Sequence, residues 1–218
     1  MRAGRHGIGA TGLNAGYWRG EPVLADLSLR LNGPGWFQLV APNGAGKSTL
    51  FEVLAGYLKP FSGDIVIGDL PVRIGRRAST LRLIRADPAL VPGVTVRDHL
   101  HLYARRYGGS LDELVALAVR LGLEPHLDKA PHSLSTGSLK KAWFTCNWAG
   151  AEPVWCFDEP FNGVDEASVD EMIDLMAERA GDRLLVMTSH QLPAPLGARP
   201  AVGQFIGEPF DLREVHRG

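Results

Sequence analysis

The stretch APNGAGKST, Ala41–Thr49, gathers two glycines, a lysine and two hydroxyl residues in one short run. Gly44 and Gly46 let successive backbone N–H groups turn inward on one centre, which makes a cradle for an anion. A helix starting near Lys47 would aim its N-terminal dipole at the same centre. Lys47 brings a point charge suited to β- and γ-phosphates, and Ser48 brings a hydroxyl suited to Mg²⁺. Asn43, Ala45 and Thr49 complete the candidate nucleotide-binding loop. The usual spacing of such a loop asks for glycine where this chain has Ala41. With a negative φ the extra methyl costs little; with a positive φ it costs about 1–2 kcal/mol. The alternative is a glycine-rich strand-to-helix turn that contains GKST by chance.

A magnesium-nucleotide site also needs a carboxylate at the end of a neighbouring strand. VWCFDEP ends an apolar run in Asp158 and Glu159. Asp158 is the candidate for the metal shell. Glu159, at the strand end, can turn toward a γ-phosphate and polarise an attacking water as general base. A plain surface Asp-Glu pair before a turn-forming Pro160 is the alternative. RLLVMTSH ends a second apolar run in His190, placed to hydrogen-bond a phosphate and orient water.

The elements that must hold these residues follow from the pattern. WFQLVAP reads as a buried strand running into the loop. Leu50, Phe51, Val53 and Leu54 give the next helix an apolar face, and Gly56 ends it. KPFSGDIVI is a turn feeding a strand over Asp64–Ile67. Residues 95 to about 123 are rich in helix formers broken by Gly108 and Gly109, which predicts two helices. A further helix is expected from near Gly137, and another over Asp165–Ala180, between the two apolar strands. This alternation predicts an α/β fold with a mostly parallel sheet and functional residues at the strand C-terminal ends. A helical sub-domain over approximately 86–140 would be inserted in it.

The bulk numbers restrict the remaining choices. The chain has 218 residues, 45% hydrophobic and 22% charged, with a formal net charge of -1. That is ordinary globular composition, and it gives no electrostatic reason to expect nucleic acid as a partner. No window approaches the ~18 consecutive apolar residues of a membrane helix, and the N-terminus lacks the apolar stretch of a signal peptide. A cytoplasmic location is expected, with any membrane attachment supplied by another chain. Cys146 and Cys156 lie in apolar surroundings without ligand spacing and read as packed thiols in a reducing compartment. The arginines of PVRIGRRASTLRLIR (Arg73, Arg76, Arg77, Arg82, Arg85) read as a solvated basic face, or else as a contact for lipid headgroups or an acidic loop.

The order of these motifs resembles the nucleotide-binding subunit of ABC transporters, over nearly the whole chain from Leu13 to His190. LSTGS, Leu134–Ser138, sits where that family has its signature; FNGVD, ending at Asp165, resembles the loop after the carboxylate pair; TSH ends where the family has its switch histidine. GYW places Tyr17 where an aromatic stacks on adenine, with Trp18 an equal candidate on chemistry alone. The resemblance implies a P-loop NTPase (RecA-like) core over 1–218 as a single ATP-binding domain, with a small N-terminal antiparallel β part. It implies ATP and Mg²⁺ as ligands, and a transmembrane permease subunit as partner on the cytoplasmic face of the membrane. It also implies pairing with a second cassette, identical or different, whose nucleotide faces Ser135, Thr136 and Gly137. Without the family order, the Ser-Thr-Gly-Ser turn reads equally as a helix N-cap. Chain size and VWCFDEPFNGVD resemble the haem-exporter cassette of cytochrome c maturation, and small peptide or antibiotic exporters fit as well.

The chain departs from the family in two glutamines, having none between Gln38 and Gln191. Ser138 stands where one would close the signature. The other slot falls near Ala86, where Asp87 is the nearest polar residue and a candidate to reach the metal shell through water. Slow but real ATP hydrolysis is the expectation. A soluble ABC-type ATPase acting on a ribosome or other macromolecule is the alternative, although one cassette and no sustained heptads fit it less well. A P-loop small-molecule kinase has no use for LSTGS, DEP and TSH in series.

Overall fold

The computed structural model describes residues 6–74 and 80–189, together with the backbone of Phe210–Asp211. The element order is β1 (Ile8–Ala15), β2 (Leu24–Leu31), β3 (Gly35–Val40), α1 (Lys47–Leu54), β4 (Ser62–Ile67), β5 (Leu70–Pro71), β6 (Leu81–Ile84), α2 (Val96–Tyr107), α3 (Leu111–Arg120), α4 (Thr136–Asn147), β7 (Val154–Asp158), α5 (Glu166–Ala180), β8 (Leu184–Thr188) and β9 (Phe210–Asp211). Two short 3₁₀ turns, Glu124–His126 and Pro131–Ser133, precede α4. The chain divides into two compact units. One comprises Met1–Leu83, Glu152–Asp158 and Ala177–Gly218; the other comprises Ile84–Ala151 and Glu159–Met176.

The first unit holds both sheets. An antiparallel sheet has the order β2-β1-β4-β5, and a five-stranded sheet has the order β6-β7-β8-β3-β9. In the second, β7 runs parallel to β8, and β3 runs parallel to both β8 and β9. The fold is therefore the expected α/β one, mixing antiparallel and parallel sheets with helices. The β7 and β8 strands, WCF and LLVM among them, are buried along their whole length, as strands inside a parallel sheet must be. The helix α1 presents Leu50, Phe51, Val53 and Leu54 to a core that includes Leu13, Leu24, Leu39, Val154 and Val186 from the two sheets.

The second unit is helical. Thr95 caps α2 by accepting from the Asp98 N–H, and Gly108 ends it in the left-handed conformation, φ 78°. Ser110 caps α3 and Ser135 caps α4 in the same way. The break expected at Gly108–Gly109 thus separates two helices. Tyr103 packs edge-on against Trp143 between α2 and α4.

Two expectations need correction. Arg82 does not lie on a solvated face. It is 2% exposed, on strand β6, which the charge pattern of TLRLIR obscured. Its guanidinium makes a two-pronged ion pair with Glu152, the closest contact being 2.8 Å. It also stands 5.9 Å from the centre of the Trp155 ring. Arg73 and Arg85 are exposed, while Arg76 and Arg77 lie outside the described residues. The strand foreseen over 64–67 begins earlier, at Ser62, because Ser62 and Asp64 pair with Asn14 and Thr11 of β1. Cys146 and Cys156 are free and buried, and burial pushes both thiols well above their ordinary range.

Candidate nucleotide site

Strand β3 ends at Val40, and the chain enters the loop through Ala41. Among the described residues, Asp26 and Glu159 are the non-glycine positions with positive φ. Ala41 therefore has ordinary negative φ, and its methyl joins the apolar core instead of straining the turn. The positive φ falls on Gly44 (78°) and Gly46 (96°), where no Cβ resists it. A Cβ on Gly46 would stand 2.7 Å from the Leu24 side chain, which would have to shift. Helix α1 starts directly afterwards. Among the described residues no side chain caps its N-terminus, and its first turn holds no acidic residue. The positive end of such a helix favours an anion.

Lys47 bends back across the loop and donates to the Ala41 carbonyl at 2.8 Å. Ser48 donates to Asp158 Oδ2 at 2.9 Å. The other carboxylate oxygen, Oδ1, accepts from Thr188 Oγ1 at 2.7 Å. Asp158 and Thr188 sit at paired positions at the C-terminal ends of β7 and β8, and both are buried. Asn43 and Ser48 are exposed, Ala45 and Lys47 half-buried, and Thr49 buried under the helix. A hydroxyl and a carboxylate oxygen 2.9 Å apart, beside an anion cradle, are a donor set that a hard cation bridging to phosphate oxygens would use. Among the described residues no group of three or more His, Cys, Asp and Glu side chains could hold a metal alone. A cation here would therefore draw its remaining ligands from phosphate and water, as Mg²⁺ commonly does.

Tyr17 is 57% exposed just after β1, and its hydroxyl donates to Glu52 Oε2 on α1 at 2.9 Å. That bond tethers the tip of the ring. Trp18 is still more exposed, at 75%.

The other candidates belong to the second unit. Glu159 follows Asp158 and turns the chain sharply with φ 47°. Its carbonyl accepts from Lys140 Nζ at 3.0 Å. Ser135 accepts from the Ser138 N–H at 3.2 Å and donates to Ser138 Oγ at 3.1 Å. Ser138 thus engages Ser135 through both its N–H and its hydroxyl. Thr136 and Gly137 form the first turn of α4, and Gly137 lies against the Gly163 carbonyl. Asp87 is exposed in the turn after β6, where the Arg85 carbonyl accepts from Trp143 Nε1 at 3.1 Å. His190 lies outside the described residues.

The sequence pattern of the family described as "ABC transporter" matches residues 24–162, well over half of the chain. The chain belongs to the ABC transporter family. The cytochrome c biogenesis ATP-binding export protein CcmA of Shigella flexneri is 31% identical over 172 residues, covering 78% of this chain and 82% of that protein. The thiamine import ATP-binding protein ThiQ of Vibrio vulnificus is 30% identical over 161 residues, covering 71% of this chain and 69% of that protein. Among solved structures, an ATP-binding subunit of an ABC transporter superposes with a TM-score of 0.72 at 27% identity, covering 84% of this chain and 79% of that one. The chain is an ABC transporter ATP-binding domain, of a family whose members are ATPases. Among the described residues no helix is long and apolar enough to cross a membrane.

Three residues that hold the candidate groups were not singled out from the sequence: Thr188, Lys140 and Lys141. Thr188 had a weak signal, a polar residue closing an apolar strand. The two lysines had none beyond their place after LSTGS.

Proposed function

We propose that this subunit binds and hydrolyses ATP with Mg²⁺ and thereby drives transport through a separate transmembrane permease, working on the cytoplasmic face of the membrane. The observation that carries this reading is the Ser48–Asp158 hydrogen bond beside the Gly44–Gly46 cradle. A hydroxyl–carboxylate pair beside a glycine-rich loop at the end of a parallel sheet supports a cation held next to phosphates. The whole chain acts as one cassette, with residues of approximately 86–140 as its helical sub-domain.

In this reading the N–H groups of 43–49 cradle the phosphates. Lys47 gives up its carbonyl bond to reach the β- and γ-phosphates, and Tyr17 stacks on the adenine. Ser48 and Asp158 would hold the metal, Thr188 keeps Asp158 oriented, and Asp87 would reach the same shell through water. Bound Mg²⁺ would neutralise developing charge on the phosphate oxygens. Glu159 takes a proton from the attacking water as its oxygen bonds to the γ-phosphorus, and the bond to the ADP oxygen breaks. His190 orients that water. Ser135, Thr136 and Gly137 face the nucleotide of a second cassette, identical or different. Hydrolysis is slow, because neither the signature glutamine nor the one expected near Ala86 is present.

The likeness to both an export and an import subunit supports the transport reading and leaves its direction to the permease. The test is co-purification of tagged Glu159→Gln protein from detergent-solubilised membranes of its own cell, with ATP or with ADP. A polytopic membrane protein recovered with either nucleotide is the expected result. Ribosomes or soluble proteins as the sole partners would overturn the reading in favour of a soluble cassette.

A further inference from the structure

One face of α4 runs along the segment from Glu159 to Ser168. Gly137, Lys140 and Lys141 stand at helical spacings of three and four and share that face. Gly137 approaches so closely that a Cβ there would lie 2.4 Å from the Gly163 carbonyl oxygen. Lys141 is 8% exposed, and its ammonium donates to Asp165 Oδ2 at 2.9 Å and to Ser168 Oγ at 3.1 Å. These contacts fix the helix against the far end of the segment. Lys140 acts at the near end, through its 3.0 Å bond to the Glu159 carbonyl.

That bond falls on a special residue. Glu159 is left-handed at φ 47°, a conformation unfavourable for a residue with a side chain, and it needs its surroundings to hold it. Pro160 follows, so the next peptide has no N–H with which to anchor the turn. What grips this peptide is its carbonyl, through a charge-assisted bond from Lys140, stronger than one between neutral groups. The orientation of the Glu159–Pro160 peptide sets ψ of Glu159, and the departure of its side chain follows.

We propose that Lys140 is a positioning residue for Glu159, its ammonium holding the left-handed turn that aims the carboxylate at the attacking water. The proposal rests on Glu159 being the general base. It assigns the lysine a task separate from packing. The half-buried Lys140 stem lines a small pocket with Trp143, Phe144 and Pro160, and a methionine would fill the same space without the ammonium. Lys141 already ties the helix to the loop.

The experiment compares ATP hydrolysis by the wild-type chain with Lys140→Met, Lys140→Arg and Glu159→Gln, recording kcat, KM for ATP and Tm for each. Lys140→Met lowers kcat by about 10–100-fold, the range expected for a catalytic group displaced by about 1 Å. Its KM stays within about twofold and its Tm close to wild type, because neither nucleotide contacts nor the core change. Lys140→Arg, which keeps a charged donor, recovers most of the rate. Wild-type kcat in Lys140→Met overturns the proposal, and so does an equal loss in the Arg variant. If Glu159→Gln abolishes turnover while Lys140→Met does not, the positioning role alone fails. If Glu159→Gln itself turns over at the wild-type rate, the general-base reading fails and the proposal with it.

Discussion

Replacing Gly137 with alanine tests how tightly α4 is seated on the loop after Glu159. The added Cβ would stand 2.4 Å from the Gly163 oxygen, 3.4 Å from the Gly163 carbonyl carbon and 3.6 Å from the Val164 Cα. All three are backbone atoms, so no side chain can swing aside. Gly163 has φ 76° and is already in a conformation open chiefly to glycine. Restoring an ordinary contact of 3.4 Å from 2.4 Å requires the helix and loop to part by about 1 Å. The Lys140–Glu159 and Lys141–Asp165 bonds, at 3.0 Å and 2.9 Å, would lengthen beyond useful hydrogen-bond geometry. Overpacking costs about 1–3 kcal/mol, partly offset by the better helix propensity of alanine, worth about 0.5–1 kcal/mol. The protein therefore stays folded. Turnover falls much further than stability, by about 100-fold, because a 1 Å misplacement of a catalytic group has that effect. Phosphate release at saturating Mg-ATP, set beside a thermal melt, reads both quantities. A folded Gly137→Ala protein with wild-type turnover would refute the reasoning.

Thr188→Val removes the hydroxyl that orients buried Asp158 while nearly keeping its shape. The Mg²⁺ concentration for half-maximal hydrolysis should rise about 10–100-fold, as measured by magnesium titration at fixed ATP. Lys141→Met removes the main cause that holds the Asp165 carboxyl down at about 2, the Lys141 ammonium bond, with Ser168 as a second donor. Because the folded pKa lies below the ordinary carboxylate value, this contribution is fully present above about pH 4 and is lost as pH falls toward 2. The Asp165 side chain is 56% exposed, so solvent screening reduces the stability difference to about 1 kcal/mol near neutrality. Denaturant melts of wild type and variant should accordingly differ at pH 7 and converge near pH 2.

What the sequence made legible is what local chemistry dictates. The candidate loop could be read because Gly44, Gly46, Lys47 and Ser48 lie within one turn of chain, and Ala41 fits because its φ is ordinary. The cap at Ser135 is equally local. The carboxylate pair stood out because an apolar strand ends in it. The rest depends on residues distant in the chain. Thr188 reaches Asp158 only through the parallel register of β7 and β8. Arg82 is buried because Glu152, seventy residues on, neutralises it, and no periodicity in TLRLIR reveals that partner. Lys140 and Lys141 look like surface lysines of an amphipathic helix until the loop they grip is placed against them. Tyr17 and Trp18 remain chemically alike, and the Tyr17–Glu52 bond is what distinguishes them.

The most direct test is the rate of phosphate release from ATP by the wild-type chain and by Glu159→Gln, measured side by side with ATP binding to each. Slow magnesium-dependent release by the wild type is predicted, falling by about 10²–10⁴-fold in the variant while ATP binding persists. Equal release by the two proteins would contradict the assignment of Glu159, and absence of ATP binding to both would contradict the site itself.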